Sequence, residues 1–99
     1  MTREQRDETS PEEASESPDD IPDMSFDIFV LSLNASALIH LGQAPDGGSM
    51  RVNLPLARQT IDMLSLIEQK TRGNLTGEEE RLLRDILFDL KMRYTKALG

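Results

Sequence analysis

The stretch Lys70–Leu83, KTRGNLTGEEERLL, gathers two glycines, two threonines, three cations and three consecutive glutamates. Residues of these types can line a phosphate-binding turn, because the first N–H groups of a helix and its dipole both favour an anion. Three carboxylates at that same point, Glu78, Glu79 and Glu80, would repel the anion. The Gly-x4-Gly-Lys-Ser/Thr spacing of a phosphate loop is also missing. Asn74-Leu75-Thr76 fits the N-glycosylation pattern, which has meaning only in an exported chain. No basic start followed by an apolar run opens the sequence, so a secretory signal is not expected and the match reads as accidental.

Other reactive groups are sparse. His40 is the sole histidine and the chain has no cysteine, which removes disulfides, thiolate metal sites and thiol nucleophiles. A metal site needs several ligands converging, and none accompany His40 in the sequence. Asp62 and Glu68 stand six apart, a spacing that does not share one helix face. Asp46-Gly47-Gly48-Ser49 lacks the alternating acids and closing glutamate of a calcium loop, and reads as a turn. No catalytic, cofactor-binding or metal-ligating residue is assigned. An enzyme is not expected, nor a cofactor.

The net charge of −7 over 99 residues is uneven. Residues 1–24 carry nine acids against Arg3 and Arg6, a net of −7, which leaves nine acids and nine bases for residues 25–99. Rich in Glu, Asp, Ser and Pro, with Ile21 as its one branched apolar residue, the first segment is expected to be a disordered acidic tail. Its Ser10-Pro11 and Ser17-Pro18 pairs are candidate phosphorylation points, though a solubilising role is the simpler reading.

Residues 25–99 are expected to form an α-helical domain. Helix one, about 26–41, begins at the N-cap Ser25 and ends before Gly42 as C′ residue. Phe26, Phe29, Val30, Leu33, Ala37 and Leu41 make its inner stripe, and Ile28, Leu31 and Leu38 lie off it. Helix two, about 54–71, is capped by Asn53 with Pro55 in its first turn. Ala57, Ile61, Leu64 and Ile67 form its stripe, widened by Leu56, Met63 and Leu66, and Gly73 is expected at C′. Helix three, about 77–97, starts from a capping box of Thr76 and Glu79 and buries Leu82, Leu83, Ile86, Leu87, Leu90 and Tyr94. Lys70–Leu83 is therefore a joint between helices. The expected fold is all-α: three helices, the last two an antiparallel hairpin, behind an acidic tail.

ALIHLG, then LPLARQTIDMLSLIEQKTRGNLTGEEERLLRDILFDLKMRY, resembles domain-of-unknown-function family eighteen forty-four, a group of short bacterial proteins. The resemblance spans roughly Phe26 to Tyr94 and is most specific from Ala57 through Glu79. It implies a bacterial origin and a helical domain, and it brings no activity, ligand or catalytic residue.

All but four of the apolar residues fall within 25–99, more than three helices of a small monomer can hide. Ile28, Leu31 and Leu38 on helix one, with Phe88 and Met92 on helix three, are the expected partner-binding residues. The reading is a cytoplasmic, non-catalytic interaction or adaptor module, a homo-oligomer with a dimer favoured, or the binder of another protein. Docking of helix one on a membrane surface or membrane complex is the alternative. It is disfavoured because that helix lacks the Lys and Arg usual on such a polar face. A nucleic-acid binder ranks below both, since Arg81, Arg84, Lys91, Arg93 and Lys96 are interleaved with Asp85 and Asp89.

Overall fold

The computed structural model describes residues 23–99, which form three α-helices: α1 (Phe26–His40), α2 (Leu54–Lys70) and α3 (Gly77–Leu98). The fold is all-α. The expected disordered tail lies outside the described residues except for Asp23 and Met24. Each helix packs on both others, so a single core is shared three ways.

The helix starts follow from local hydrogen bonding. Ser25 Oγ accepts from the Ile28 N–H at 3.1 Å, and Asn53 Oδ1 accepts from the Leu56 N–H at 3.1 Å. Each satisfies one of the N–H groups that a helix start leaves without a carbonyl. Pro55 occupies the first turn of α2, where its missing N–H removes nothing. Thr76 and Glu79 form the full capping box at α3.

At the other end of α1, the Gly42 N–H donates to the Ile39 carbonyl and the Gln43 N–H to the Leu38 carbonyl. This crossed pair is a Schellman motif, and it requires the left-handed backbone found at Gly42, φ 101°. The segment from Gly42 to Asn53 then folds back on itself. Met50 N–H donates to the Gly42 carbonyl, and Gln43 and Ser49 form an isolated antiparallel bridge. Pro45 and the left-handed Gly47 shape the tip, where the Gly47 N–H reaches the Ala44 carbonyl. The Asp46 carboxylate accepts from the Gly48 N–H at 2.9 Å, which gives that acid a local, structural employment.

The end of α2 differs by one residue from expectation. The helix closes at Lys70 with Thr71 as C-cap, so Gly73 falls one position beyond C′. Gly73 is still left-handed, at φ 85°, because it turns the chain inside the Thr71–Asn74 turn, closed by the Asn74 N–H on the Thr71 carbonyl.

The core joins Val30 and Ala37 of α1, Ile61 and Leu64 of α2, and Leu83, Ile86, Leu87 and Leu90 of α3. Phe26, Leu33, Ile67, Leu82 and Tyr94 pack against it half-buried. Thr60 is the buried polar residue among those described; its hydroxyl donates to the Leu56 carbonyl at 3.0 Å and so carries no unmet hydrogen bond inward.

Two expectations about faces change. Phe29, placed on the inner stripe by spacing, is 43% exposed, because Val30 takes the central position and Phe29 sits a quarter-turn away. On α2, Leu56, Met63 and Leu66 do not widen the inner stripe but are exposed.

Candidate interaction surfaces

On α3 the core direction is set by Leu83, Leu87 and Leu90, all buried. At about 100° per residue, Phe88 lies roughly 140° around the helix from Leu83, and Met92 is one turn further along that outward side. Phe88 is accordingly 70% exposed and Met92 49%. Both border a shallow depression that Lys91, Thr95 and Lys96 complete, with every lining residue drawn from α3. An aromatic ring left this open, with a methionine beside it, forms a contiguous apolar spot framed by two ammonium groups.

On α1 the outward side holds Ile28, Leu31, Ala35 and Ile39, at steps of three and four residues that share a face. Leu31 and Ala35 are exposed, Ile28 and Ile39 half-buried. From Ile28 to Ile39 the helix contains no charged residue. Ala35 and Ile39 also border a second depression, against Ala44 and Pro45 of the loop. Leu38, expected off the inner stripe, is placed differently. It packs half-buried against the core while also reaching this depression, because the Schellman turn brings the loop over the end of α1. Ala35 and Ile39 were missed by the sequence reading, although a count in threes and fours from Ile28 through Leu31 reaches both.

Of the expected binding set, Phe88 and Met92 border a depression built from α3 alone and Leu38 borders the one at the end of α1, and the two depressions have no residue in common. Leu56, Met63 and Leu66 add exposed apolar positions on α2.

The Lys70–Leu83 joint forms a cleft lined by Glu68, Arg72, Leu75, Glu80, Leu83 and Arg84. Two carboxylates and two guanidinium groups line it, so the formal charges of the lining balance and offer an anion no net attraction. Glu79 is engaged in capping, and Asp89 accepts from Arg93 Nε at 2.8 Å. His40 sits half-buried in the last turn of α1. Among the described residues no group of three or more His, Cys, Asp or Glu side chains is placed to hold a metal ion. None of the described helices is long and apolar enough to cross a membrane.

A family model described as a domain of unknown function, DUF1844, matches residues 23–96. No curated protein and no solved structure matches the chain.

Proposed function

The chain belongs to the DUF1844 family, a domain of unknown function, and we propose that it is a non-catalytic association module that binds through the outward apolar faces of its helices. The observation that carries this reading is the 70% exposure of Phe88 beside the half-exposed Met92. Removing an aromatic side chain from water contributes roughly 1.5–3 kcal/mol, so a partner that covers this pair gains appreciably. A second copy of the chain is the favoured partner, since two-fold closure lets one patch satisfy its own duplicate. Another protein seated on the same faces is the other form of this reading.

Support against catalysis comes from the employment of the polar groups: Glu79 caps, Asp89 pairs with Arg93, Asp46 closes a turn, and Thr60 bonds its own helix. A bacterial cytoplasm is the proposed setting, in keeping with a cysteine-free chain. Docking on a membrane surface through α1 is the second reading, supported by the exposed Leu31 on an apolar face and opposed by the lack of Lys and Arg from Ile28 to Ile39.

Sedimentation velocity on the full chain over a hundredfold concentration range tests the proposal. A species of twice the chain mass that grows with concentration supports self-association. A monomer throughout would overturn the homo-oligomer and leave the faces to a different protein. Co-flotation with neutral phospholipid vesicles, abolished by Leu31→Glu, would move the assignment to the membrane reading.

A further inference from the structure

Charge and exposed apolar surface coincide at the end of α3. From Leu90 to Gly99 the chain carries Lys91, Arg93 and Lys96 and no acidic side chain. Asp89 offsets Arg93 through their 2.8 Å ion pair, while Lys91 and Lys96 flank the depression beside Phe88 and Met92. The complementary segment lies on the same polypeptide: residues 1–24, with nine acids against two arginines and Ile21 among them.

We propose that the acidic N-terminal segment of the same molecule is the occupant of the Phe88–Met92 face. The chain ahead of Asp23 is long enough for this. Its twenty-two residues can extend to roughly 70 Å at about 3.3 Å each, whereas the whole of α3, also twenty-two residues, is about 33 Å long. Carboxylates meeting Lys91 and Lys96 hold the segment over the ring, and its tether replaces the entropy cost of bringing in a separate partner. The contact is electrostatic and peripheral, so salt weakens it as the screening length contracts. This inference rests on the association reading, in that both assign an occupant to the Phe88–Met92 face.

The absence of cysteine allows a single spin label to be placed in the intact chain through Ser17→Cys. The amide spectrum of the full-length protein, at a concentration where it is monomeric, is compared with the label oxidised and reduced. Line broadening concentrated on Phe88–Lys96 is expected, unchanged on dilution. It should be lost at about 0.5 M salt, where screening acts within roughly 4 Å, and lost again in a Lys91→Gln/Lys96→Gln variant of unaltered helicity. Broadening spread evenly over the three helices would overturn the proposal. So would broadening that fades on dilution, which would assign the segment to a second molecule. Sedimentation reads the association proposal independently. A chain that is monomeric at every concentration yet shows the local broadening retains this contact and loses self-association, and an oligomer without it does the reverse.

Discussion

Thr76 and Glu79 exchange hydrogen bonds across the start of α3: the Thr76 N–H donates to Glu79 Oε1 at 2.9 Å, and the Glu79 N–H donates to Thr76 Oγ1 at 3.1 Å. Two groups that could have served a ligand thereby satisfy the helix itself. Thr76→Ala removes the acceptor and should cost about 1 kcal/mol. In a domain of this size that lowers the melting temperature by about 4–8 °C. Thermal unfolding followed by circular dichroism checks this, and an unshifted midpoint would mean that the box adds nothing beyond solvent.

Within α2, two leucines two positions apart should behave oppositely. Leu64 is fully buried in the shared core and Leu66 is 53% exposed. Leu64→Ala leaves a cavity and should cost about 2–5 kcal/mol, while Leu66→Ala should stay within about 0.5 kcal/mol. Urea titration of both variants measures the contrast. Equal losses would show that the Leu66 side is covered in solution.

Gly42 and Gly47 share a left-handed backbone but not their surroundings. A Cβ at Gly42 would stand 2.9 Å from Val52 Cγ2 and 3.2 Å from the Met50 carbonyl oxygen, whereas at Gly47 it would meet nothing within 4 Å. Gly47→Ala should therefore show only the conformational cost, about 1–2 kcal/mol. Gly42→Ala should exceed it by the further work of moving Val52 and the loop backbone. Chemical denaturation ranks the two.

The outward faces can be separated by charge. Phe88→Glu and Leu31→Glu each place a carboxylate on an exposed position, so neither should unfold the domain. On the association reading, Phe88→Glu weakens self-association by at least tenfold, about 1.4 kcal/mol, seen as a shift of the sedimentation isotherm. If Leu31→Glu produces that shift and Phe88→Glu does not, the dimer closes on α1.

Much of the fold was legible in single residues. Ser25, Asn53 and the Thr76–Glu79 pair mark helix starts because a cap is a contact between residues three apart, with geometry that the helix itself supplies. Gly42 marks a stop because only a residue without Cβ enters the left-handed turn at little cost. The stripes of α2 and α3 gave Ala57, Ile61, Leu64, Leu83 and Leu90 as core, all of them buried.

The sequence read least well where a helix is apolar around much of its circumference. In α1 periodicity offers several stripes of nearly equal quality, and spacing alone placed Phe29 inside and Leu38 outside. Gly73 is expected at C′ from the sequence, but its offset from the helix end depended on where Thr71 capped.

Sequence alone determined the number of the helices and the caps at their starts, the charge imbalance between residues 1–24 and 25–99, and the lack of a spaced catalytic or metal motif. These are properties of neighbours along the chain and of composition. Only the tertiary structure decided which side of α1 meets Leu64 and Leu90, that Leu38 turns inward beneath the loop, and that the depression beside Phe88 and Met92 is built from α3 alone. Those choices depend on how three helices divide a limited interior, a competition that no single segment encodes.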